Sequence, residues 1–258
     1  ESRWFGGILR GDDGGVMHEP SVRVFVTGAG SWRTEREFPS GRARDCALHL
    51  DSGGRANSAL GDGRLTLAIP SASMFDGIVS DPMDLVPYPV DALGLPLYAP
   101  IDCRSIERRD DVLVYTTGVL AAAAEVAGAV TVTVFVATDA AATDMVARLV
   151  DVHPNGRAVR VADGIARAVA AVDAAQACQI DLGLIAHAFA RGHRIRLEVA
   201  SSAYPRWSCS QGQARAKSGV WHGAPHPSRV MLPVIGGAIE FCSGADECTP
   251  AAEECAHE

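Results

Sequence analysis

Hydrophobic and polar residues alternate with a period of two in short segments along most of this chain. Val130 to Val136 places its four valines on one face and Thr131, Thr133 and Phe135 on the other, the pattern of a sheet-forming strand. His193 to Val199 repeats it, with Ile195, Leu197 and Val199 inward and Arg194, Arg196 and Glu198 outward, which predicts a strand with one wet face. The same reading gives strands at 22–27, 45–50, 64–69, 112–116, 146–152, 178–182 and 229–235. About nine short strands punctuated by Gly, Pro, Asp and Ser predict an all-β sandwich rather than a βαβ fold.

Two stretches interrupt the alternation. Ala121 to Glu125 is an alanine run with high helix propensity, but Gly118 and Gly128 bound a segment too short for a stable helix, so a turn of helix or a loop is expected there. Ile165 to Gln176 is Ala-rich and fits helix or strand. From Asp81 to Cys103 runs a Pro-rich connection, longer than a compact domain normally carries without a reason. Connections of this kind serve either as extended surface loops or as functional segments.

Composition bounds the partners. The chain has 258 residues, 48% of them hydrophobic, enough apolar mass for one large domain or two small ones. Its net charge of −8 comes without the basic patch that a phosphate backbone requires, so nucleic acid is not an expected partner. No run of about 18 apolar residues and no signal-peptide pattern occurs, so no membrane span is expected; a cytoplasmic location is the preferred reading, with secretion as the alternative because an N-terminal part is expected to be missing.

The seven cysteines are odd in number, irregularly spaced and without a CxxC pair, and read as mostly free thiols. Cys242, Cys248, Cys255 and His257 could give zinc three sulfurs and a nitrogen, but five and six intervening residues are looser than a zinc knuckle. A solvated tail is the preferred reading, and no metal or other cofactor is expected.

Candidate catalytic motifs fail in turn. An α/β-hydrolase nucleophile needs a Gly-x-Ser-x-Gly elbow, because only small residues fit that turn, and none exists. Gly28-Ala-Gly-Ser31-Trp32 lacks the second glycine. Asp51-Ser52-Gly53-Gly54 echoes a chymotrypsin-like nucleophile segment, but Leu50 precedes it and only His18 and His49 lie upstream, so an ordinary turn is expected. The histidines are dispersed, without an HExxH pair. His222 and His226 are four apart, but Pro225 and Pro227 rule out a regular helix presenting both. Asp144, Asp151 and Asp163 are too sparse for a calcium loop and are expected to cap turns. No catalytic residue is assigned.

Several segments together resemble a known family. Asp144-Met-Val-Ala-Arg-Leu-Val-Asp-Val-His-Pro-Asn-Gly156 followed by Asp163-Gly-Ile-Ala-Arg167 is similar to the signature of the X-Pro dipeptidyl-peptidase C-terminal domain, which also occurs in cocaine-esterase-like (CocE/NonD) serine hydrolases. Gly192 to Val199 with Ser201, Ser202 and Pro205, Ile106-Glu107 with Asp111 to Thr117, and His226 to Arg229 with Leu232 to Ile235 resemble its other strands. Trp4-Phe5, Pro20 to Val26 and Trp32-Arg33 resemble the link from the hydrolase domain. Met145 and Asn155 depart mildly from the pattern, and Arg206 to Gln211 replaces an Asn-rich segment.

The resemblance implies a galactose-binding-like jelly-roll β-sandwich over 20–236, a remnant of the last helix and link of an α/β-hydrolase domain over 1–19, and a tail over 237–258. It implies that the Ser-Asp-His triad precedes Glu1 and that this chain is inactive alone. It further implies two partners, the catalytic domain of the same polypeptide and a small ester or peptide substrate. Leu97 and Tyr98 in the Pro-rich connection are the candidate substrate-pocket wall. Trp4, Phe5 and Ile8 are expected to form an exposed apolar face that favours homo-oligomers. The competing class is a free-standing carbohydrate-binding jelly roll, for which Trp207 and Trp221 would be the platforms.

Overall fold

A computed structural model describes residues 5, 6, 9, 20–89, 100–170, 174–208 and 215–242. Thirteen strands follow one another: β1 (Val22–Val26), β2 (Ser31–Glu35), β3 (Ala43–Asp51), β4 (Arg64–Thr66), β5 (Met74–Ser80), β6 (Val112–Thr116), β7 (Ala124–Thr138), β8 (Ala142–Val152), β9 (Ala158–Val169), β10 (Gln176–Phe189), β11 (Arg194–Ala200), β12 (Ala216–His222) and β13 (Arg229–Ile235). The fold is an all-β sandwich, and each of the nine segments that alternate in the sequence contains a strand, although the one expected over 64–69 ends at Thr66. Phe5, Gly6 and Leu9 are helical; the rest of 1–19 lies outside the described residues, as does everything after Cys242.

The long β7 organises one layer. It pairs with β10 along one edge and with β12 and β13 along the other, and these lead on to β5 and β3. The short β4 carries the ladder across to β6, and β6, β11, β8 and β9 form the second layer. Val130, Val132, Val134, Ile180 and Leu232 from the first layer meet Leu113, Leu149, Ile195, Leu197 and Val199 from the second in one dry core, where the hydrophobic effect acts over the whole inner face. The layers approach closely at Gly164, where an added Cβ would lie 2.1 Å from the Asp181 carbonyl oxygen, so no side chain fits there.

The outward face of the second layer is not wet. Arg148 and Glu198, directly opposite each other on β8 and β11, are both fully buried. The described ends of the Pro-rich connection, 81–89 and 100–103, pack over this face together with the segment that follows. Val86 packs with Val112, Val114 and Ala200, Tyr88 and Ile101 with Val146 and Ala203, and Cys103 and Ile106 with Val150, Val152 and Ala158. Backbone hydrogen bonds pin this cover: the Tyr88 N–H donates to the Tyr204 carbonyl at 2.6 Å and the Cys103 N–H to that of Ala158 at 2.8 Å. Period-two spacing assigns a face but not what packs on it, which is why Glu198 reads as exposed from sequence.

Other differences have similar causes. Ala121 to Ala123 form the expected loop, while Ala124 and Glu125 open β7, because pairing with β10 overrides alanine's propensity. Of the Ala-rich 165–176 stretch, 165–169 end β9 and Gln176 begins β10. β2, β5, β9 and β12 escape the sequence reading because each mixes strand formers with Gly, Ala or charged residues.

Under the cover, an Arg148 Nη donates to Glu198 Oε2 at 3.0 Å and an Arg196 Nη to Glu107 Oε2 at 2.6 Å. Full burial pushes the Glu198 carboxyl up, against the pull of Arg148, and the neighbouring Glu107 carboxyl adds to the rise. An arginine side chain keeps its charge whatever its surroundings. Glu198→Leu is therefore expected to cost about 3–5 kcal/mol in urea unfolding by leaving that charge stranded, and the double variant Arg148→Met/Glu198→Leu to recover most of it.

Candidate functional site

At one end of the sandwich the inner faces of the two layers carry polar groups instead of core. On β8 the inward series Met145, Ala147, Leu149 ends at Asp151, and His153 follows two residues later in the β8–β9 turn. On β11 the inward series Val199, Leu197, Ile195 is preceded by His193. Ile195 is paired with Asp151, so His193 and His153 face each other across the end of the ladder, their rings 4.3 Å apart. From the other layer, β10 brings His187.

Asp151 is the centre of this group and is 2% exposed. Its Oδ1 lies 2.8 Å from His193 Nδ1 and its Oδ2 3.3 Å from His187 Nε2, with His153 Nε2 3.9 Å from Oδ2. The second nitrogen of His187 lies 2.8 Å from Thr27 Oγ1, and the Thr27 hydroxyl donates to the Ala186 carbonyl at 3.0 Å. Burial raises the Asp151 carboxyl, and the hydrogen bonds and charges of His187 and His193 outweigh it, holding it below the usual carboxylate range. A cleft of about 380 Å³, lined also by Gly28, Pro100, Arg157 and Arg160, opens onto these side chains.

A second polar cluster gathers around Ser52, just beyond β3. Its Oγ lies 2.9 and 2.8 Å from the two oxygens of Asp76 on β5, and 2.9 Å from His222 Nε2 on β12. The composition is that of a triad, but the geometry is not. In a working triad the imidazole stands between serine and acid, one nitrogen to each. Here the same His222 nitrogen meets both Ser52 and, at 3.2 Å, Asp76, while Nδ1 is buried without a partner. Ser52 donates to the carboxylate, not to the base.

Asp76 also accepts from the Tyr115 hydroxyl at 2.7 Å and the Ala56 N–H at 2.8 Å. Burial raises its carboxyl; the donors His222, Ala56, Tyr115 and Ser52 together bring it below the usual range. This is a lock that fixes the 52–57 turn on the core, which agrees with the reading of Asp51-Ser-Gly-Gly54 as a turn.

The structure relocates several other residues. Asp144 pairs with Arg167 on the neighbouring strand at 3.1 Å, and Asp163 with Arg160 at 2.8 Å and Arg206 at 2.7 Å; with Asp151 bound to histidines, all three aspartates hold side chains rather than cap turns. Trp207 lies under the Arg206 guanidinium at 4.8 Å, and Trp221 lies between Phe75 at 5.0 Å and His226 at 5.5 Å. Leu97 and Tyr98 lie outside the described residues, as do Trp4 and Ile8. Cys46, Cys103 and Cys178 are free, whereas Cys242 is disulfide-bonded. The histidine group escaped the sequence reading because its members are scattered over 41 positions from 153 to 193; the only local signal is Asp-x-His at 151–153.

The described residues thus form an all-β sandwich in which the Ser52, His222 and Asp76 side chains close on one another as a structural lock. The chain belongs to the X-Pro dipeptidyl-peptidase C-terminal non-catalytic domain family, whose match runs over residues 14–226. It is 33% identical over 255 residues to the cocaine esterase of Rhodococcus sp. (strain MB1 Bresler), covering 88% of this chain and 44% of that protein. Among solved structures it is similar to an aminopeptidase from the marine sediment archaeon Thaumarchaeota archaeon, at 25% identity and a TM-score of 0.77 over 91% of this chain and 43% of that one. An α-amino acid ester hydrolase shares the fold at 24% identity and a TM-score of 0.72, over 83% and 41% of the two chains. The chain thus spans less than half the length of each.

The depressed Asp76 and Asp151 carboxyls set the acid stability. A carboxyl held low in the folded state contributes stability that is complete above its unfolded value, near 4, and is lost as pH falls through the lower folded value. The urea midpoint is therefore expected to fall below about pH 4. In Asp76→Asn, which is less stable at neutral pH, the difference from the parent should shrink as the pH drops through that window.

Proposed function

We propose that this chain is the β-sandwich module of a CocE/NonD-type serine hydrolase, an esterase, amidase or X-Pro dipeptidyl-peptidase. In this reading it packs on the α/β-hydrolase catalytic domain of the same polypeptide and walls its substrate pocket. The observation that carries the proposal is the family match over most of a chain that spans only 44% of its esterase relative. The nucleophile, base and acid then belong to the other part of the polypeptide.

A hydrolase pocket gains from a rigid wall, because excluding water strengthens the oxyanion donors and holds the acyl group against them. The second layer of the sandwich, packed on both faces, has that rigidity. The β1–β2 hairpin supplies a docking face: Phe25 and Trp32 are paired across it with ring centroids 5.3 Å apart, and Trp32 is 62% exposed. Phe5 and Leu9 are exposed as well, in keeping with an apolar face made for a partner. The connection that covers the second layer also carries Leu97 and Tyr98, which we place against the acyl or peptidyl group of the substrate. The carbohydrate-binding alternative is weaker, since both tryptophans it would need already stack on protein groups.

In the full-length enzyme, Leu97→Ala/Tyr98→Ala is expected to lower kcat/KM for its preferred ester or peptide at least tenfold, about 1.4 kcal/mol of transition-state binding, with the fold intact by circular dichroism. Unchanged kcat/KM would remove these two residues from the pocket.

A further inference from the structure

We propose that Asp151, His153 and His193 form a binding site for one divalent transition cation of the zinc class at the open end of the sandwich. Their donor atoms all lie within 4.8 Å of one another, and they come from two backbone segments fixed by the same ladder. A tetrahedral ion with bonds of about 2.0–2.1 Å needs donors about 3.3 Å apart. His193 Nδ1 lies 2.8 Å from Asp151 Oδ1 and His153 Nε2 3.9 Å from Asp151 Oδ2, so bringing both imidazoles and one carboxylate oxygen onto a single ion requires the carboxylate and the rings to turn within their present neighbourhood.

Two imidazoles and one carboxylate select zinc, cobalt, nickel or copper over calcium and magnesium, which prefer all-oxygen shells. The ion would replace the proton between His193 Nδ1 and Asp151 Oδ1, that proton passing to His193 Nε2 or to solvent. His187 stands behind the carboxylate, its Nε2 3.3 Å from Asp151 Oδ2 and its Nδ1 2.8 Å from Thr27 Oγ1. It is thus oriented as a positioning residue, or as a fourth ligand if the carboxylate turns. Arg160, in the same cleft, is tied to Asp163 at 2.8 Å, which offsets its charge. The cleft leaves the remaining coordination position accessible to water or a small ligand.

The site would tie the β8–β9 turn to the β10–β11 turn, and its test is direct. The full chain is titrated with cobalt(II) and followed by visible absorbance, in parallel with His153→Ala. His153 sits in a turn with its side chain 27% exposed, so that variant should fold like the parent, as checked by circular dichroism. The proposal predicts one cobalt per chain with tetrahedral ligand-field bands and no sulfur-to-cobalt charge-transfer absorption. It also predicts affinity at least tenfold weaker in His153→Ala, and a zinc-dependent rise in Tm of the parent that the variant lacks. No ligand-field band at millimolar cobalt, equal affinity in the variant, or a sulfur charge-transfer band, which would put the ion on the cysteines, would each overturn it.

Discussion

The structure depends on β8 being buried on both faces. Ten of its eleven residues are buried, because one face closes the sandwich core and the other lies beneath the Pro-rich connection. A strand in that position has no access to water for its polar side chains, so every charge it carries must find a partner inside the protein. Arg148 finds Glu198, Asp144 finds Arg167 and Asp151 finds His187 and His193. The partners lie on β11, β9 and β10, so satisfying one strand's charges fixes the positions of three others.

From this follows the shape of the module. The second layer is held from inside by the shared core and from outside by three small apolar clusters, so it resists bending. The polar residues at its end replace apolar packing where the two layers diverge, and the Asp76 lock does the same for the turn after β3. Both clusters have the residue types of chemical sites, and the histidine group opens on a cleft. A module of this kind holds surfaces in place, which suits a domain that accompanies a catalytic partner.

Much of the sandwich was legible in the sequence. Val130–Val136, Ile195–Val199 and the valines of β13 alternate cleanly because their inner face meets a dry core, and the alternation itself carries that information. What lies on the other face is a matter of tertiary structure: Glu198 and Arg148 have the spacing of solvent-facing residues and are fully buried. The polar clusters were illegible for a related reason. Ser52, Asp76 and His222 are brought together by the pairing of β5 with β12, and Asp151 meets His193 only through the β8–β11 register, neither of which is encoded in local pattern. The family resemblance reached further than periodicity because it rests on the whole order of motifs from Trp4 to Ile235.

The central claim is that this domain presents no activated nucleophile. Incubating the purified 258-residue chain with a fluorophosphonate probe and measuring the intact mass tests it most directly. The protein is expected to stay unmodified, since the Ser52 hydroxyl donates to Asp76 and the His222 nitrogen beside it, 2.9 Å away, faces that same carboxylate instead of standing between serine and acid. A stoichiometric adduct mapping to Ser52 would show that the Ser52–His222–Asp76 group opens into a working triad, and would contradict the assignment of this chain as the non-catalytic part of its enzyme.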